Sequence, residues 1–438
     1  MNIRDLKAVR RGAAGTLALA AVAAGGLLAI CGPAGASETF SLGGYYKNFS
    51  TVLDFPDLVL PPPSNTDVPL LGAVSNRLRL QARWRPLDRL TLTAAYNLVP
   101  RVQDRRLFDT DLFATGIDPG RYRVTDLRAR LYPKDKGDVA SFAVYQDLDR
   151  LLLTVTMPRF DLTVGRQPIA WGSAHAVNPT DVIAPYTFNE LDTEDRVGVD
   201  AVRLRYPLGF MGELDIGYVG GEDLAFEKSA FFLRGRYYAF RTDFAALLVG
   251  FREHLLVGVD VTRAVGGAGA WVEGAYVITD ALADSGRDSG HDYLRASVGL
   301  DYSLGPNTYA FLEYHLSTAG ALDAGDYYAV SSTPAYTDGA VYLLGRHYAI
   351  PGVSYQITPL VTASGEALVN LTDWSVLIGP AAEYNVAKDV YLAIGAFVGF
   401  GKEPEHLPGA GSGGIPMEFN SEFGTYADLY YVSFRVYF

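Results

Sequence analysis

Residues 77–85 read R-L-R-L-Q-A-R-W-R, a strict two-residue alternation. Arg77, Arg79, Gln81, Arg83 and Arg85 share one face, and Leu78, Leu80, Ala82 and Trp84 share the other. Successive side chains of a β-strand point to opposite faces, so one side of this strand is apolar and the other densely cationic. A soluble sheet would place a protein core on the apolar side and solvent on the other. A barrel in a bilayer would place lipid on the apolar side and a water-filled lumen on the cationic side.

The alternation recurs along the chain. Leu294, Ala296, Val298, Leu300 and Tyr302 oppose Tyr293, Arg295, Ser297, Gly299 and Asp301. Ala310, Leu312, Tyr314 and Leu316 oppose Phe311, Glu313, His315 and Ser317, and Leu392, Ile394, Ala396, Val398 and Phe400 oppose Tyr391, Gly395 and Gly399. Each segment has ~10 residues, the length a tilted strand needs to cross a bilayer. Tight connections are predicted at 86–88, 158–159, 207–209, 305–307 and 387–389, where Pro, Gly, Asn and Asp supply turn chemistry. Long ones are predicted through 52–74, 100–119, 168–195, 279–291, 319–343 and 401–424. The pattern yields about nineteen strands, and because single-chain bacterial barrels have even numbers the expectation is eighteen or twenty. The ambiguous region is 133–160, where VASFAVYQ reads either as its own strand or as part of a longer one.

The chain begins with Arg4, Lys7, Arg10 and Arg11, an apolar run from Gly12 to Ile30, and Ala34-Gly35-Ala36. This is the pattern of an export signal cleaved before Ser37, giving a leader at 1–36 and a mature region at 37–438. Cys31 raises the alternative of lipid attachment, although Ile30 is not the small residue such a site requires. The leader carries four bases and one acid, so its removal takes the net charge from −12 to −15. The chain ends Y-Y-V-S-F-R-V-Y-F, with Tyr430, Val432, Phe434, Val436 and Phe438 on one face. This resembles the closing strand of bacterial outer-membrane β-barrels, in which the terminal aromatic, here Phe438, is a signal to the barrel-assembly machinery.

Hydrophobic residues make up 49% of the chain and tyrosine contributes 28 residues, yet no segment after the leader approaches the ~20 apolar residues of a membrane helix. The expected fold is therefore all-β: a single antiparallel transmembrane β-barrel of 18–20 strands, with short periplasmic turns and long extracellular loops. The expected location is the outer membrane of a Gram-negative bacterium, reached by the Sec route and surrounded by outer-membrane lipid.

Arginine is unevenly spread. Arg77, Arg79, Arg83, Arg85, Arg128, Arg130, Arg203, Arg205, Arg234 and Arg236 all alternate with apolar neighbours in the first part of the chain. An arginine on a lipid face costs about 2–4 kcal/mol at the midplane, so these side chains are expected to face the lumen. There they would either handle anions, or pair with acids such as Asp126, Asp161, Asp200, Glu213, Asp301 and Glu313.

The second distinctive stretch is G-R-Q-P-I-A-W-G, Gly165 to Gly172, followed by an N-P-T-D run at Asn178 to Asp181. Gly165 and Gly172 permit tight bends, and Pro168 ends strand pairing. A compact loop here would either fold into the lumen as a constriction or pack externally on the rim. In the first case Arg166, Gln167, Trp171, His175, Asn178 and Asp181 are the candidate constriction residues. The stretch is similar to a signature of poorly characterised outer-membrane barrels whose broader relatives include alginate-export-like channels, which implies an arginine-lined pore.

Catalysis finds little footing. The six histidines, at 175, 254, 291, 315, 347 and 406, form no metal-binding pair, and Ser173 beside His175 is not a triad. The acids at 280, 284, 288 and 292 do not have calcium-loop spacing. No cofactor, metal or nucleic-acid partner is expected. The expected function is a passive porin-like channel for small, anionic solutes. The rival is a barrel that sheaths a periplasmic or extracellular protein partner, such as a multihaem cytochrome. A TonB-dependent transporter is disfavoured, because such barrels need ~22 strands.

Overall fold

The computed structural model describes residues 39–56, 70–108, 121–135, 137–284, 286, 289–406 and 417–438. The predicted leader with Cys31, Asp288, and parts of the connections at 57–69, 109–120 and 407–416 lie outside the described residues. Within them no helix is long and apolar enough to cross a membrane.

The wall begins with β1 (Phe40–Asp54), β2 (Leu71–Leu87), β3 (Leu90–Gln103), β4 (Phe142–Thr156), β5 (Asp161–Gln167) and β6 (Val199–Leu208). It continues through β7 (Gly212–Gly220), β8 (Ala230–Ala239), β9 (Thr242–Phe251), β10 (His254–Val265), β11 (Ala268–Ile278) and β12 (Tyr293–Ser303). It is completed by β13 (Thr308–Ser317), β14 (His347–Thr358), β15 (Val361–Asn370), β16 (Val376–Ala387), β17 (Val390–Phe400) and β18 (Asp428–Tyr437). Each strand pairs antiparallel with the next, and β18 pairs with β1 from Tyr45↔Tyr437 to Asp54↔Asp428, closing an eighteen-stranded barrel. Closure removes every sheet edge, the condition for a sheet to stand in hydrocarbon. Phe438 extends the seam: its amide donates to the Gly44 carbonyl at 3.0 Å and its carbonyl accepts from the Gly44 amide at 2.9 Å.

The alternation sorts the faces as expected. Leu80, Trp84, Val202, Leu233, Val298, Leu312, Ile394 and Val432 point outward as an apolar belt, while Lys47, Arg79, Glu273, Arg295 and Glu313 point inward and are buried. The FAVYQ part of VASFAVYQ opens β4 and is not a strand of its own, and Val139, Ala140 and Ser141 precede the strand. Its alternation is broken by a bulge opposite Ala95 and Tyr96, which lets both Asp149 and Arg150 turn inward and flips the parity beyond them.

Short connections, such as 88–89, 209–211 and 388–389, gather at the end that holds both strand termini; long ones gather at the other, with the two-residue turn at 252–253 as an exception. By the asymmetry of bacterial barrels, the long-loop end is the extracellular one. Here the interior is packed. Ile169, Trp171, Val182 and Ile183 from the 168–198 loop meet Val199, Val219, Phe232, Val249, Leu256 and Val277 of the wall, with Ala335 and Val341 of the 318–346 loop closing over them. That loop carries α1 (Tyr327–Val330) and α2 (Pro334–Thr337). A second cluster joins Val177, Leu343 and Phe423 to Tyr348, Ile350, Leu368 and Leu377.

Candidate functional site

The 168–198 loop folds into the lumen and crosses it. β5 ends at Gln167, just before Pro168, and Gly165 and Gly172 adopt φ of +114° and +106°, values that L side chains rarely take. At one side the loop is pinned by two wall carboxylates. Glu273 of β11 accepts hydrogen bonds from the amides of Ser173 at 3.0 Å, Ala174 at 3.0 Å and Thr180 at 2.9 Å. It also accepts from Thr180 Oγ1 at 2.7 Å and Asn178 Nδ2 at 3.2 Å. Glu313 of β13 accepts from the amides of His175 at 2.7 Å and Val177 at 3.0 Å, and from Trp271 Nε1 at 3.1 Å. A Cβ at Gly172 would lie 2.7 Å from both Glu273 carboxylate oxygens, so that glycine serves the carboxylate as well as the bend.

At the other side the acidic turn of the loop meets β1 and β2, strands that stand about half the circumference away in the wall order. Lys47 Nζ, fully buried, holds Asp192 at 2.8 Å and Glu194 at 2.6 Å, and Arg77 reaches Asp192 at 2.8 Å. Arg79 holds Asp149 at 2.7 Å and approaches Asp195 at 3.7 Å. Burial raises the Asp192 carboxyl, but Arg77 and Lys47 outweigh it and hold the group below its ordinary range.

Several residues expected to face the pore are instead occupied. Arg77 and Arg79 are ion-paired as described, and Arg203 pairs with Asp215 through two contacts of 2.9 and 2.7 Å. For these three the structural pairing reading fits, since a buried guanidinium needs a compensating carboxylate. Arg128 and Arg130 do not lie on a barrel strand. Arg130 belongs to an extra strand, Ala129–Tyr132, which pairs beside β4, and Arg128 immediately precedes it. Arg128 contacts Asp126 at 3.1 Å, and Arg130 lies over the Phe108 ring at 4.7 Å.

Most constriction candidates also turn away from open lumen. Arg166 donates to Asp200 at 2.8 and 2.9 Å and to the carbonyls of Leu148 and Thr125, sealing the wall where β5 stops. Gln167 donates to the Ala201 carbonyl at 3.1 Å, and Trp171 packs against Phe232 with ring centroids 4.7 Å apart. Asn178 is held by Glu273, and Asp181 is fully buried against Arg196 at 3.0 Å, with burial raising its carboxyl to about 6. Asn178 stays half-buried, and His175 is the exposed member of the six, stacked on Trp271 at 4.0 Å and 3.8 Å from Asp301.

Of the ten arginines expected to face the lumen, Arg83, Arg85, Arg205, Arg234 and Arg236 form no ion pair among the described residues, and all stand toward the short-turn end. Arg83, Arg85 and Arg205 line a cavity of about 480 Å³ with Gln81, Thr91, Thr93, Thr154 and Thr156; Asp88 and Asp161 also border it. Guanidiniums with hydroxyl donors between them form a surface that can exchange its contacts with a passing oxyanion.

The sequence reading missed Glu273, Lys47, Asp149, Asp215 and the anchoring role of 192–195. A signal for Glu273 exists: it is a lone acid in the inward register of β11, between Trp271 and Ala275. Among the described residues no cluster of His, Cys, Asp and Glu could hold a metal ion.

No protein-family model matches the chain, and no curated protein matches it by sequence. The fold has solved counterparts. OpdK of Pseudomonas aeruginosa, an outer membrane protein, is similar with a TM-score of 0.55 at 10% identity, over 92% of this chain and 100% of that one. A BenF-like porin of Pseudomonas fluorescens gives 0.54 at 11% identity, over 92% and 99%. OccAB4 of Acinetobacter baumannii gives 0.51 at 12% identity, over 93% and 100%. The chain thus has the architecture of Gram-negative outer-membrane porins, and its apolar outer belt is the face such a barrel turns to lipid.

Proposed function

We propose that the protein is an outer-membrane channel for the passive passage of small anionic solutes. The observation that carries this reading is the division of the arginines: Arg77, Arg79 and Arg203 are held by carboxylates, whereas Arg83, Arg85 and Arg205 form no described ion pair around an open cavity that four threonines line and Asp88 and Asp161 border. Uncompensated cations in a confined lumen concentrate anions and disfavour cations. OpdK has also been crystallised with vanillate, a small carboxylate, which accords with this solute class. The resemblance of the 165–181 stretch to alginate-export-like channels points the same way. The sheath reading is disfavoured because the chain's own loops pack the extracellular half of the lumen, where a threaded partner would sit. Reversal potentials in a planar bilayer under a potassium chloride gradient test the proposal: the sign expected is that of chloride preference, and potassium preference would overturn it.

A further inference from the structure

The inner face where β18, β1 and β2 meet carries an arrangement that demands an anion. Arg435, Lys47 and Arg77 stand side by side across three hydrogen-bonded strands, and one residue pair further Tyr437, Tyr45 and Arg79 form the adjoining row. Like charges directly opposite on neighbouring strands repel, and Lys47 is fully buried, so the row cannot stand uncompensated. Arg435 is met by Glu383 of the wall. Lys47, Arg77 and the two phenols are met by one short acidic turn. Asp192 binds Lys47 and Arg77, Glu194 binds Lys47 and accepts from Tyr437 Oη at 2.6 Å, and Asp195 accepts from Tyr45 Oη at 2.8 Å.

Three carboxylates within four residues thus occupy a cradle of one ammonium (Lys47), two guanidiniums (Arg77 and Arg79) and two hydroxyl donors. The occupant is half-exposed on its far side, with Glu194 at 44% and Asp195 at 31%. The turn's own side chains meet the wall through these polar contacts, each of which a dissolved carboxylate can reproduce, while Leu191 just before it packs on Leu53, Leu71 and Leu429. We propose that this cradle is a binding site for small solutes bearing two or three carboxylates, and that the 192–195 turn is its tethered occupant, displaced when such a solute binds. The inference deepens the anion-channel reading, on which it rests, by adding a multivalent subsite with a built-in competitor. A tethered competitor lowers the apparent affinity of a free ligand by the fraction of time the site is vacant.

The test places a nitroxide label on Thr193→Cys, an exposed position of the turn, in the full refolded barrel. Citrate is expected to mobilise the label in its electron paramagnetic resonance spectrum, and acetate at equal ionic strength is expected not to. Neutralising the turn with Asp192→Asn, Glu194→Gln and Asp195→Asn should mobilise the label without citrate. The same change should tighten citrate binding by calorimetry on the order of tenfold, because the competitor is gone. Lys47→Met should also release the label while weakening citrate, and heat-modifiable gel migration checks that each variant has formed a barrel. A label that citrate leaves immobile, or a neutralised turn that binds citrate no more tightly, overturns the proposal. A potassium-preferring wild-type channel would instead overturn the anion-channel reading, whatever the label does.

Discussion

The two halves of the lumen solve opposite problems within one continuous wall. Toward the long loops, the inward register carries Phe232, Val249, Leu256 and Val277, and the 168–198 and 318–346 loops bury their own apolar side chains against them. Toward the short turns, β2, β3, β4 and β6 present Arg83, Arg85, Thr93, Thr154 and Arg205 to open space. Even the charges divide this way. In the packed half the buried Lys47, Arg79 and Arg166 each hold a carboxylate, and each loop-anchoring carboxylate has several donors, as low-dielectric surroundings require. In the open half cations can stand alone because water screens them. A filled half fixes where the opening lies, and an unfilled half decides what passes.

The largest expected effect comes from undoing the packed half. Glu273→Ala removes the acceptor of three loop amides and two side chains. Stranding several buried donors should cost about 3–5 kcal/mol and free the crossing loop. A lower unfolding temperature in the gel-shift assay, together with a several-fold rise in single-channel conductance, would check it. An unchanged conductance would mean the loop does not set the opening.

Next comes the open half. Replacing Arg83, Arg85 and Arg205 together with Gln should reduce the anion-to-cation permeability ratio on the order of tenfold while leaving thermal stability nearly untouched, since none holds a described ion pair. Bilayer selectivity and melting measured on one preparation separate the two halves directly. If stability fell and selectivity did not, the division drawn above would be wrong.

A smaller effect follows from pH. Glu422 sits in the 401–427 connection, accepting from the Leu344 amide and Asn370 Nδ2 at 2.8 Å each, and burial pushes its carboxyl up to about 7 from an ordinary 4.5. The folded state binds this proton more tightly than the unfolded state. Its stabilising contribution is therefore full below about pH 4.5 and is lost as pH rises through about 7. Hydrogen exchange at 421–427 should accelerate across that window in the wild type, and Glu422→Gln should flatten the response. The smallest expected change is Gly172→Ala, which combines a φ of +106° with a Cβ 2.7 Å from Glu273 and should cost about 1–3 kcal/mol. An unaltered melting temperature would contradict the tight fit of loop to wall.

What could be read from the sequence was what repeats locally. The alternation at 77–85, 293–303 and 430–438 reports the two faces of a strand, and the barrel follows from counting such segments. The same logic explains the ambiguity at 133–160: the bulge at Asp149 and Arg150 breaks the period, so one strand looks like two half-strands. The bends at Gly165 and Gly172 were legible because glycine and proline punctuate the backbone. The partners of the charges were not. Arg79 finds Asp149 and Arg77 finds Asp192 through barrel closure and loop insertion, and no local pattern encodes contacts 70 and 115 residues apart. For that reason Arg77, Arg79 and Arg203 looked the same in the sequence as Arg83, Arg85 and Arg205, although only the second set remains uncompensated.

The central claim is that these uncompensated arginines give the lumen an anionic preference. Its most direct test is the reversal potential of single channels in a planar bilayer under a tenfold potassium chloride gradient. The account predicts a potential displaced toward the chloride equilibrium value, shrinking toward zero when Arg83, Arg85 and Arg205 are replaced. A potential displaced toward the potassium value in the wild type would contradict it.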